Sequence, residues 1–130
     1  MVDSPPGAAA RLHLWVLLPV LGIVPTALSL RHDWRPDDRK DVVRALRWQL
    51  LGTAILMLHA VLQLGVVFVD WFAHSAGSVP PGLEPLFGPL LMVISLVNVG
   101  SGIAEYCFVA FWGLRAARGA PLPFLDGSRG

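Results

Sequence analysis

The chain is short of charge. Only 15% of its 130 residues are Asp, Glu, Lys or Arg, whereas an ordinary soluble domain carries about 25%, and 55% of them are hydrophobic. That deficit excludes a solvated surface of normal composition and makes a bilayer the simplest solvent. Cysteine is nearly absent: the lone Cys107 sits in an apolar run, which excludes an intrachain disulfide and a zinc-type cysteine cluster. Motifs of familiar chemistry are missing too. There is no phosphate-cradling Gly-Lys-Ser loop, no His-Glu-x-x-His, no Gly-x-Ser-x-Gly and no Cys-x-x-Cys. Basic residues are scarce and unevenly placed, six of the ten falling between Arg31 and Arg47 and none between 74 and 85, for a net charge of +1. Such a distribution speaks of membrane orientation and gives no footprint for nucleic acid.

Long apolar runs are what the chain has in plenty. At 1.5 Å per residue, a stretch of about 20 residues crosses the hydrocarbon core. Residues 12–30, 50–73 and 86–114 meet that length and predict three transmembrane helices in an all-α membrane protein. Pro19, Gly22 and Pro25 lie inside the first, so a kink is expected there. Ala27-Leu28-Ser29 loosely imitates a signal-peptidase site, but the basic charge follows the apolar run instead of preceding it, which favours a retained segment. Between the first two runs, Pro36-Asp37-Asp38 reads as a helix start, with acidic residues where the helix dipole favours them. Val42, Val43, Leu46 and Leu50 then recur at helical spacing opposite a basic face of Lys40, Arg44 and Arg47. This predicts an amphipathic interfacial helix over 37–49, flanked by Trp34 and Trp48 at headgroup depth and in contact with membrane lipids. Residues 1–11 and 115–130 lack periodicity, and the sequence predicts a mobile first tail and an irregular last one. With six basic residues in the loop 31–49 and three from 115 onward, both belong in the cytoplasm, and three spans then place the N-terminus outside.

An ionisable side chain at membrane depth costs a few kcal/mol and so marks the candidate site. His59 and Gln63 lie one turn apart in the second run. Asn98, Ser101 and Glu105 fall in the third, with Asn98, Gly102 and Glu105 sharing a face. One reading has His59 and Glu105 meeting across an antiparallel helix pair to hold a proton or a polar ligand. The other has the whole cluster serving as interhelical glue. Asp70, Trp71 and His74 suit interfacial anchoring. Cys107 lacks the neighbouring base of a nucleophile. No catalytic, cofactor or metal site is therefore expected, and the chain is not read as an enzyme.

Three stretches carry a resemblance. They are Gly22-Ile23-Val24-Pro25, then Asp41-Val42-Val43-Arg44-Ala45-Leu46-Arg47-Trp48-Gln49-Leu50, and finally Gly113-Leu114-Arg115-Ala116-Ala117-Arg118-Gly119 followed by Pro121-Leu122-Pro123-Phe124. Their order resembles the bacterial family of small membrane proteins similar to the twenty-kilodalton membrane subunit of the chloroplast inner-envelope import translocon. Where that family carries Asn-Phe in the middle motif, this chain has Arg47-Trp48, and the loop before it is longer and more charged. The resemblance implies an all-helical membrane domain of the bacterial inner membrane with no established enzymatic activity. A non-enzymatic subunit, packed in a larger membrane complex or a homo-oligomer, is the expected function. The alternative is a transport or translocation component whose mid-membrane polar groups line a path.

Overall fold

The computed structural model describes residues 7–126, which are helical with no strand among them. Of the predicted N-terminal tail, residues 1–6 lie outside the described ones, while Ala8–Arg11 form a single helical turn, α1, with Ala9 buried. A 3-10 helix, Leu12–Leu17, follows directly, then a turn and α2, Ile23–Ser29. The two long helices are α3, Pro36–Ala76, and α4, Glu84–Ala116. Both are long and apolar enough to cross a membrane.

Two sequence expectations change here. First, the run 12–30 is not one helix. Val20 takes a left-handed backbone at φ 64°, which costs a β-branched residue roughly 1–2 kcal/mol, and the chain turns sharply through Pro19 to Gly22. A side chain on Gly22 would strike the Trp15 carbonyl and come within 2.8 Å of the Leu18 carbonyl. Thus Pro19 and Gly22, read as the cause of a kink, separate two short pieces, and a third span is not formed. Second, the predicted interfacial helix and the span after it are one continuous helix, α3, because nothing between Gln49 and Leu50 breaks the helical hydrogen bonds. Pro36 starts it with Asp37 and Asp38 in its first turn, where the missing Pro N–H costs nothing and the acidic charges meet the positive helix end. Both long helices end on a left-handed glycine. At Gly77, φ 59°, the Ser78 N–H bonds back to the Ala73 carbonyl, and at Gly119, φ 90°, the Ala120 N–H bonds back to the Arg115 carbonyl.

The described residues divide into two compact units, one running up to Ala54 and resuming at Tyr106, the other Ile55–Glu105. In the first, the segment 8–30 folds back on itself against the start of α3 and the end of α4. Gln49 Nε2 donates to the Leu12 carbonyl at 2.8 Å, and the Tyr106 hydroxyl donates to the Val16 carbonyl. Val16 itself sits on Gly113, where a Cβ would meet its Cγ1 at 2.6 Å. Leu18, Val20 and Ile23 approach Thr53 and Tyr106, and the chain then returns until Arg39 reaches the Leu30 carbonyl at 3.4 Å. It enters and leaves on the same side of this unit. Trp48, fully buried, donates from Nε1 to the Val109 carbonyl at 2.8 Å and joins the two long helices. The tail after α4 is pinned as well: Leu122 is buried, and its N–H donates to Asp126 at 2.7 Å. Residues 127–130 of the predicted tail lie outside the described ones.

In the second unit α3 and α4 run antiparallel, joined by the turn through Gly77. The less exposed positions are Ile55, His59, Gln63 and Val66 on one helix and Leu91, Ser95, Asn98 and Gly102 on the other. Spacings of three and four give one narrow seam on each helix. Outside that seam the apolar side chains face outward.

Candidate functional site

The seam of the second unit is polar, and its hydrogen bonds fix one another. Asn98 Nδ2 lies 3.0 Å from the His59 main-chain carbonyl, an atom that only accepts. That orients the amide and turns Asn98 Oδ1 to His59 Nδ1 at 2.8 Å. The same Nδ2 donates to Gln63 Oε1 at 3.2 Å, which in turn leaves Gln63 Nε2 donating to Ser95 Oγ at 3.0 Å. On the other edge of the imidazole, Nε2 lies 2.8 Å from Glu105 Oε2. Gly102 makes room for the ring, since a Cβ there would fall 3.0 Å from His59 Cγ. The ring is largely covered, its side chain 15% exposed, whereas Glu105 is 52% exposed.

Of the five residues read from the sequence, His59, Gln63, Asn98 and Glu105 are thus brought together. Ser101 is not in the bonded set. Ser95 takes its place, and the signal was available: Ser95, Asn98, Gly102 and Glu105 follow at intervals of three, four and three along one face.

The basic face is only partly a face. Lys40 is exposed and pairs with Asp37 at 3.2 Å, and Arg47 is exposed. Arg44 turns inward, bonding to the Ala120 carbonyl at 3.4 Å and pairing with Asp126 at 3.6 Å and Asp41 at 3.7 Å. It fastens the tail and does not present a free cation. Arg115 lies over the Trp112 ring, 4.9 Å from its centroid, a packing suited to headgroup depth.

The first unit holds a further polar group that the sequence reading missed. His13, in the 3-10 helix and outside both long helices, is buried with neither ring nitrogen hydrogen-bonded within the chain. Burial pushes this imidazole down to about 4, the nearby Arg44 guanidinium acts in the same sense, and Asp126 opposes both. The side chain is therefore neutral near pH 7. No family model, no curated protein and no solved structure matches the chain.

Proposed function

We propose that the chain is a non-enzymatic integral membrane subunit that packs with a larger membrane complex or with copies of itself. The observation that carries this reading is the exposure of Glu105. Its carboxyl lies about halfway between the middle of the apolar run and its cytoplasmic end, at a depth where lipid offers no hydrogen bond, yet half of it is uncovered. Lipid can cover the apolar side chains; a polar group needs protein or enclosed water. Three helix glycines support the same reading. Gly65, Gly88 and Gly100 have nothing within 4 Å of where a Cβ would stand, and each costs a helix interior about 1 kcal/mol relative to alanine. Open glycine faces of this kind suit close approach by another helix.

The membrane in question is the bacterial inner membrane, in line with the motif resemblance to the translocon-like family, and the basic residues beside α3 and after α4 place both on the cytoplasmic side. Because the segment 8–30 enters and leaves on one side, Ala8 shares that side, with α3 and α4 as the two spans. This replaces the outside N-terminus that three spans would require. The exposed Leu14, Trp15, Leu17, Leu21 and Leu28 of that segment then rest in the interface among lipid chains.

Native mass spectrometry of the protein in mild detergent tests the subunit reading. A defined homo-oligomer or a stoichiometric complex is expected; a lone monomer with no stable partner contradicts it. A transport component is the second reading, favoured by the polar row from Ser95 to Glu105. There, Gln63→Leu is expected to abolish flux while leaving assembly intact.

A further inference from the structure

The geometry points to His59 and Glu105 as a one-proton binding site, filled from the carboxylate side and closed on the other. The argument is one of donors and acceptors. Asn98 Oδ1 only accepts, and its orientation is set by the donation of Nδ2 to a main-chain carbonyl, so His59 Nδ1 carries a hydrogen. The 2.8 Å contact between Nε2 and Glu105 Oε2 then needs one proton and only one. With the proton on nitrogen, the pair is imidazolium and carboxylate; with it on oxygen, the pair is neutral imidazole and carboxylic acid. Transfer across the contact breaks one N–H or O–H bond and makes the other, and the pair stays net neutral in both forms. Removing the proton leaves a carboxylate facing a nitrogen lone pair, which repel. Adding a second leaves an unneutralised imidazolium at membrane depth. Either departure is costly where water is scarce.

The rest of the network says what kind of site this is. Beyond His59 the row continues through the amides of Asn98 and Gln63 to the Ser95 hydroxyl. Carboxamides have no site that gains and loses a proton near neutral pH, so this arm clamps the ring without conducting. Glu105, the titratable group facing the ring, is also the exposed member of the pair, and it is the port of entry. Asn98 and Gly102 on α4 complete the surroundings of the ring. The site therefore holds a proton and does not pass it through. This goes beyond the subunit reading and stands whether or not a partner is bound.

The test is nitrogen NMR of the full chain in lipid, with 15N-labelled histidine and the His59 signals assigned by their loss in His59→Phe. In the native protein, Nδ1 is expected to stay protonated across the accessible pH range while Nε2 reports a single protonation step shared with Glu105. In Glu105→Gln the carboxamide can donate to Nε2, so the neutral Nδ1–H form is expected with that shared step lost. Asn98→Leu removes the clamp and is expected to give a mixture of the two neutral tautomers. An unprotonated Nδ1 in the native protein overturns the proposal without recourse to any variant. So does a pH response of His59 that is the same in the native protein and in Glu105→Gln.

Discussion

The two units are built from the same pair of helices but hold together differently. The first has a close-packed interior: Val16, Val42, Ala45, Trp48, Val109, Ala116 and Leu122 are buried, with Thr26 and His13 among them. The second buries almost nothing, Ala73 being its one buried apolar side chain among the described residues, and its helices meet along a row of polar bonds. Water explains the difference. Near an interface the hydrophobic effect operates, and burying a folded segment is rewarded. In hydrocarbon, apolar faces gain little from one another, so hydrogen bonds and close backbone approach remain to join helices. The bare faces of Ile55–Glu105 thus suit a segment solvated by lipid and by other helices.

The comparison can be broken from the first unit, where effects should be largest. Trp48→Ala removes a fully buried ring and leaves the Val109 carbonyl without its donor. A loss of roughly 4 kcal/mol is expected, read as a lower unfolding midpoint in detergent and faster amide exchange over Leu12–Ser29. Gly22→Ala drives a methyl group into the Trp15 and Leu18 carbonyls, so about 3 kcal/mol should be lost at the turn. Limited proteolysis of the 18–22 segment reads that loss directly.

Acid sharpens the contrast next. His13 binds its proton more weakly folded than unfolded, so stability is complete above about pH 6.5 and is lost as pH falls towards 4, by about 2 kcal/mol. Unfolding midpoints measured across that window should slope, and His13→Phe should flatten the slope. The smallest effect is expected in the second unit. Asn98→Leu deletes bonds to His59 and Gln63, and interhelical bonds in membranes are worth only about 0.6 kcal/mol each. A total near 1 kcal/mol should appear as faster exchange within Ile55–Glu105. A loss as large as that of Trp48→Ala would contradict the contrast.

Much of this was legible from the residues. The start of α3 could be read from Pro36-Asp37-Asp38, and the apolar run 86–114 falls within α4, Glu84–Ala116. His59, Gln63, Asn98 and Glu105 announced themselves by polarity at membrane depth. The fate of 12–30 did not, because hydropathy measures how apolar a stretch is and not whether its backbone continues. The partners that fold it back, Gln49 and Tyr106, lie 37 and 90 residues away. The same distance hid the role of Arg44, whose acidic partner Asp126 sits in a tail without periodicity. Ser95 was missed for a smaller reason, as a single hydroxyl within an apolar run is not conspicuous until its helical face is traced.

Side-selective labelling of single cysteines tests the two-span arrangement most directly. With Cys107 replaced by serine, Ala8→Cys and Phe124→Cys are introduced separately and challenged with a membrane-impermeant thiol reagent in sealed vesicles of known orientation. The folded-back first segment predicts that both react from the cytoplasmic face. Reaction of Ala8→Cys from the face opposite Phe124→Cys would show that residues 12–30 cross the membrane, and would contradict it.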